Sequence, residues 1–107
     1  MNSQLKKGVL ETCVLAILSK TDMYGYELVE NISRYVEITE GTIYPLLRRL
    51  KDLGLVDTYL KESQSGPPRK YYRITESGKE EAKKQVEEYF GFVRNISELI
   101  GENYDKA

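Results

Sequence analysis

The chain has no histidine and no tryptophan, and its single cysteine is Cys13. A lone cysteine cannot close an internal disulfide, which fits a reducing compartment. With no histidine and one thiol, a conventional zinc site lacks its ligands. Ser-His and Cys-His nucleophilic sites are excluded outright. Long apolar runs are also missing. The best candidate, Val9 to Leu18, is broken by Glu11 and Thr12, far short of the roughly 18 residues that a membrane span needs. The N-terminus, Met1-Asn2-Ser3-Gln4, lacks the basic-then-apolar layout of a signal peptide. A cytoplasmic protein with no membrane association is expected. There is no Gly-rich phosphate loop, and the carboxylates fall at the spacing of solvated helix faces, so neither an enzyme nor a cofactor is expected.

A dominant charge is absent too: the net is −1 over 107 residues, enough chain for one compact domain but too little for two. The distribution is more informative. Met1–Leu47 carries four basic and six acidic residues, Arg48–Lys79 eight basic and four acidic, and Glu80–Ala107 four basic and seven acidic. A basic middle third between two acidic ones is the footprint of a face that meets phosphate. It is equally compatible with ordinary surface charge.

What is present is strong periodicity. Leu5, Val9, Leu10, Val14, Ile17 and Leu18 recur at helical spacing and predict a helix from Gln4 to Lys20, with Cys13 and Ala16 widening its apolar side. A short second helix, Gly25 to Arg34, carries Tyr26, Leu28, Val29 and Ile32. Gly25 at its start implies close approach of another group. Thr39 is a suitable N-cap for a third helix, whose core stripe is Ile43, Leu46, Leu47, Leu50 and Leu53. Gly54 stops it. Pro45 falls within its first two turns and predicts a bent or loosened start. From Leu55 to Glu62 the period becomes two, with Val56, Thr58 and Leu60 inward. Ser63–Pro68 reads as a turn-rich loop. Arg69–Ile74 alternates again, with Tyr72 and Ile74 on one face and Tyr71 and Arg73 on the other. Thr75 caps a last helix that runs to about Gly101, with a frayed tail from Glu102.

The last helix carries Ala82, Val86, Tyr89, Val93, Ile96 and Ile100 at steps of four, three, four, three and four. That is a heptad seam, which implies a long helix-on-helix contact; Phe90, Phe92 and Leu99 widen it. The expected fold is mainly α with a small β-hairpin: a winged helix-turn-helix over 1–75, then a C-terminal dimerisation helix and tail over 76–107.

On a helical wheel, Gly41, Pro45, Arg48 and Asp52 point away from the core stripe of the third helix. Thr42 and Arg49 flank them on one side, Tyr44 and Lys51 on the other. Little bulk at the N-terminal end, with donors beside it, suits a helix entering a major groove. An ordinary amphipathic helix with a solvated outer face has the same pattern. Arg69 and Lys70 follow Gly66-Pro67-Pro68, so two cations sit beside an exposed, stiffened loop of the kind that lies over a phosphate backbone. A solvated turn with incidental charges also fits, and Tyr71, Tyr72 and Arg73 fit strand packing.

The segments Tyr24-Gly25-Tyr26-Glu27-Leu28, Glu40 to Leu50 (EGTIYPLLRRL), Gly54-Leu55-Val56, Arg69 to Thr75 (RKYYRIT) and Gly78 resemble the PadR family of transcriptional regulators. The likeness runs from about Leu5 to the end of the last helix, and the single-domain length resembles the smaller PadR subfamily. The resemblance implies a homodimeric, non-enzymatic repressor that binds double-stranded DNA at an inverted-repeat operator. It implies a recognition helix presenting Thr42, Tyr44, Arg48 and Arg49, and a wing presenting Arg69 and Lys70. Tyr24 either touches phosphate or packs under the third helix; packing is expected for Tyr26. The implied dimer interface joins Leu5 and Val9 of the first helix to Ala82, Val86, Tyr89, Val93, Ile96 and Ile100 of the last. Drug-binding members stack a small aromatic ligand on the last helix, which maps to Tyr89, with Phe90, Phe92 and Val93 nearby. The absence of tryptophan departs from that pattern, and the same aromatic stripe serves equally as dimer core. The competing reading is a winged-helix module whose basic face meets an acidic protein. A steep salt dependence of DNA binding separates the two.

Overall fold

The computed structural model describes residues 3–104, with side chains from Gly8 onward. The elements are α1 (Ser3–Lys20), β1 (Met23–Tyr24), α2 (Gly25–Ser33), α3 (Glu40–Asp52), β2 (Val56–Ser63), β3 (Gly66–Ile74) and α4 (Glu76–Asn103). Three helices precede the β2–β3 hairpin and a long helix follows it; β1, between α1 and α2, completes a small antiparallel sheet of order β1-β3-β2. This is the expected winged-helix architecture.

Among the described residues, one core joins the helices and the sheet. Leu10, Val14, Leu15 and Leu18 of α1 meet Leu28 and Ile32 of α2, Ile43, Leu47 and Leu50 of α3, Val56, Tyr72 and Ile74 of the sheet and Ala82 of α4. Leu15 is fully buried although the periodicity had pointed to its neighbours. Leu53 and Leu60 were expected to face inward, but they are 55% and 70% exposed. Leu53 is the last residue before the chain reverses, and Leu60 lies where β2 has run past the helices. Tyr26 is exposed rather than packed under α3.

Three local features depart from the sequence expectation. β1 has only two residues, paired as Met23↔Tyr72 and Tyr24↔Tyr71, and leaves no periodic trace. The loop Ser63–Pro68 contracts to a turn at Gln64 and Ser65, because β3 begins at Gly66. The pairs Lys61↔Arg69 and Ser63↔Gly66 enclose a register shift. The extra residue lies on β3, so a bulge absorbs Pro67 and Pro68, which cannot donate to the ladder. Finally, α4 continues through Asn103, past the expected fraying point.

The ends of α3 explain its stability despite Pro45. Thr39 is the N-cap, but its side chain makes no capping bond. Helical bonding starts instead with Thr42 and Ile43 N–H groups donating to the Thr39 carbonyl at 3.1 and 3.2 Å. Pro45 lacks the N–H that would bond the carbonyl four residues earlier, and that residue, Gly41, is exposed. At the C-terminus Gly54 adopts φ 76°. The Leu55 N–H donates to the Leu50 carbonyl at 3.0 Å and the Gly54 N–H to the Lys51 carbonyl at 2.9 Å, a Schellman closure.

Candidate nucleic-acid interface

Between α3, the start of α2 and the wing lies an open cleft of about 590 Å³. Tyr44, Arg48, Lys51 and Asp52 line it from α3, Tyr24 and Gly25 from the β1–α2 junction, and Thr58, Arg69, Lys70 and Tyr72 from the hairpin. Four cations thus face one carboxylate. The sequence places Lys51 on the Tyr44 flank of the helix but not among the DNA-binding candidates; standing two helical turns beyond Tyr44, it lines the cleft with it.

The cleft is shaped by a missing side chain. A Cβ on buried Gly25 would lie 2.5 Å from the Tyr44 hydroxyl, so only glycine lets the Tyr44 ring lie over the start of α2. That is the close approach expected from Gly25. Glu27 accepts from the Tyr24 N–H at 3.1 Å, the carboxylate half of a capping box that starts α2 beside it. Burial holds the Tyr44 phenol above its ordinary pKa, with Glu40 adding to the effect. Burial raises Tyr72 likewise, and Tyr44 adds to it while Arg48 opposes. Both stay neutral donors at physiological pH.

The candidate DNA-binding residues divide. Tyr44, Arg48, Arg69, Lys70 and Tyr24 come together in the cleft. Thr42 is exposed and lies outside it. Arg49 is turned toward α1, where its guanidinium donates to Glu11. On α4, Tyr89 and Phe90 line an apolar cavity of about 250 Å³ with Val9, Thr12, Cys13, Ala16 and Val86; Phe92 and Val93 lie outside it. Partial burial pushes the Cys13 thiol up, which favours its protonated form. Ala82 is buried and Val86 and Ile96 are half-buried, whereas Val93 and Ile100 are exposed. Leu5 lies outside the described side chains. Among the described residues, no cluster of three or more His, Cys, Asp or Glu side chains could hold a metal ion. No helix among them is long and apolar enough to cross a membrane.

Residues 14–84 match the family model described as the transcriptional regulator PadR-like family. The chain belongs to the PadR-like family. A solved PadR-like transcriptional regulator from Bacillus cereus strain ATCC 14579 is 38% identical, with TM-score 0.83 over 91% of this chain and 96% of that one. A transcriptional regulator of Escherichia coli strain K12, YqjI, is 34% identical over 75% of this chain and 40% of its own length. The negative transcriptional regulator PadR of Bacillus subtilis strain 168 is 29% identical over 68% of this chain and 42% of its own. This chain therefore spans about two fifths of those two regulators.

The wing of this PadR-like regulator is braced by a row of rings across the outer face of the sheet. Tyr24, Tyr71 and Tyr59 are cross-strand neighbours. Tyr24 meets Tyr71 edge-on at 5.4 Å, and Tyr71 stacks on Tyr59 at 5.6 Å. A cation covers each ring: Arg69 over Tyr24 at 4.7 Å, Lys61 over Tyr71 at 5.2 Å and Arg73 over Tyr59 at 5.3 Å. Tyr59 donates to Asp22 at 2.7 Å. That bond is the main cause holding its phenol above the ordinary range. The alternation of β3 announced that Tyr71 and Arg73 face outward, but the row needs the cross-strand register to be seen.

Proposed function

We propose that the chain is a homodimeric, cytoplasmic repressor that reads an inverted-repeat operator in double-stranded DNA, with α3 in the major groove and the wing on the backbone. The cationic cleft between α3 and the wing is the observation that carries this reading. A major groove about 12 Å wide admits one helix. With α3 seated there, Tyr44, Arg48 and Lys51 face bases and phosphates while Arg69 and Lys70 reach the flanking strand. The name of the Bacillus subtilis relative, a negative regulator, supports repression.

The dimer is argued from α4. It packs on α1, yet its Tyr89, Phe90, Phe92, Val93, Leu99 and Ile100 are all exposed. A seam this apolar calls for a partner helix. The reading extends to a small aromatic effector, for which the α1–α4 cavity supplies apolar walls and the rings of Tyr89 and Phe90.

Selection of bound duplexes from a randomised pool near physiological salt tests the central reading. An inverted repeat is expected, its half-site spacing set by the distance between the two α3 helices. Recovery of no sequence from folded protein removes it in favour of the protein-interaction module. With the selected operator in hand, Arg48→Ala is expected to weaken binding by about 1–3 kcal/mol if its guanidinium reaches a base. Unchanged affinity in an anisotropy titration takes Arg48 out of the interface. Tyr24→Leu removes the ring beneath Arg69 and is expected to cost about 0.5–1 kcal/mol of operator affinity, whereas Tyr24→Phe retains the wild-type value. Equal losses from both would mean that the Tyr24 hydroxyl, not its ring, matters.

A further inference from the structure

Arg49 ends a chain of side chains that crosses three helices. Its guanidinium donates to one oxygen of Glu11 on α1. The other Glu11 oxygen accepts from the Gln85 amide of α4 at 2.9 Å. The same amide donates to Glu81 at 2.8 Å, and the Gln85 carbonyl oxygen accepts from the Thr12 hydroxyl at 2.8 Å. Both polar ends of Gln85 are thus engaged, and Glu11, Thr12, Glu81 and Gln85 are all half-buried. Interactions of partly desolvated groups are screened less than those of exposed pairs. Arg49 itself stays half-exposed, but its charge is spent on α1.

We propose that Arg49 is a positioning residue and not a DNA contact: Arg49–Glu11–Gln85 forms a polar bridge through which α4 sets the attitude of α3. The inference rests on the DNA-binding reading above. A wheel can place Arg49 on the flank of a recognition helix; it cannot reveal that an acid from α1 meets it there. A helix that must present Tyr44, Arg48 and Lys51 in one groove needs its rotation about its own axis held, and the core stripe Ile43, Leu47 and Leu50 holds only the opposite side. Arg49 supplies a second anchor. Because the other end of the bridge lies on α4, a rotation of that helix is transmitted to the DNA-reading face. Thr12 belongs both to the bridge and to the lining of the α1–α4 cavity, so a molecule in that cavity touches the bridge directly.

Gln85→Met is the informative variant. It roughly preserves side-chain volume, changes no charge and removes the side-chain hydrogen bonds of Gln85 to Glu11, Thr12 and Glu81. With the full chain and the selected operator, it is expected to lower affinity about fivefold, the scale of one modest polar interaction. Arg49→Gln should lose a similar factor, and the double variant should lose little more than either alone. The slope of log affinity on log salt should stay that of the unaltered chain in all three. The proposal is overturned if Gln85→Met leaves affinity unchanged, or if Arg49→Gln flattens the slope by about 0.9, the signature of one lost phosphate contact. Thermal melts without DNA judge the bridge independently: non-additive shifts in Tm for the two substitutions support it, and additive shifts sink it. Failure of the unaltered chain to bind any duplex would instead indict the DNA-binding reading.

Discussion

Val93→Asp is expected to convert the proposed dimer to monomers while leaving each chain folded. The two effects separate because of where Val93 lies. It is 37% exposed in the single chain, so an aspartate there keeps contact with water in the monomer. In a symmetric dimer the same seam meets itself, and both copies of the substitution enter one interface. Each carboxylate then loses water without gaining a partner, at about 3–5 kcal/mol. Two such charges are enough to move a nanomolar dimer beyond micromolar protein. Val86→Asp is a less selective probe, since Val86 is half-buried and lines the cavity against α1. Sedimentation of Val93→Asp should give the mass of one chain with an unchanged helical CD spectrum. Operator binding should collapse with it, because each half-site loses the effective concentration that its linked neighbour supplies. A persistent dimer would place the interface elsewhere and would leave the apolar seam of α4 without a role.

How far such arguments could run on sequence alone depended on whether the relevant contact was local. The helices were legible because their apolar residues recur within a few turns, and the hairpin because β2 and β3 alternate side by side. β1 was invisible: two residues cannot show a period, and Met23 and Tyr24 are strand only because Tyr72 and Tyr71 arrive from far along the chain. The same limit governs burial. A broad apolar stripe on α1 does not reveal that Leu15 is core while Ala16 is exposed, since the choice is made by what packs against it. In the candidate cleft, Tyr44 could be placed from its helical flank, Arg48 from the outward face of α3, and Arg69 and Lys70 from their position beside the turn. Arg49 could not, because Glu11 lies 38 residues away and only the fold joins them. The tyrosine row is intermediate. Outward orientation follows from alternation, but a ladder needs register, and register was set by a two-residue turn and a bulge that the Pro67-Pro68 stretch had disguised as a longer loop.

Gly78→Ala should destabilise the chain, and here the sign is as informative as the size. Gly78 occupies the third position of α4, where alanine would ordinarily add about 1 kcal/mol through helix propensity. A Cβ at this site, however, would stand 2.1 Å from the Leu55 carbonyl oxygen and 2.7 Å from Ile74 Cγ1. The first obstacle is backbone, and it cannot swing aside. That carbonyl already accepts from the Thr75 N–H at 3.0 Å. Around it, the Thr75 hydroxyl donates to the Gly54 carbonyl at 2.8 Å, the Gly78 N–H donates to Thr75 Oγ1 at 3.0 Å and the Ser77 hydroxyl donates to the Gly54 carbonyl at 3.1 Å. The C-terminal closure of α3 and the N-terminal cap of α4 are therefore a single hydrogen-bonded knot, with Gly78 at its tightest point. Moving α4 away to admit a methyl group strains or breaks several of these bonds together, at about 3 kcal/mol. After the propensity gain a net loss of about 2 kcal/mol remains, or roughly 10 °C in Tm for a domain of this size. The melt should be compared at one protein concentration, because the proposed dimer would make Tm concentration-dependent. An unchanged or higher Tm would mean that α4 leaves the wing with room to spare. A large fall would mean that the direction in which α4 leaves the winged-helix fold is fixed at this one glycine.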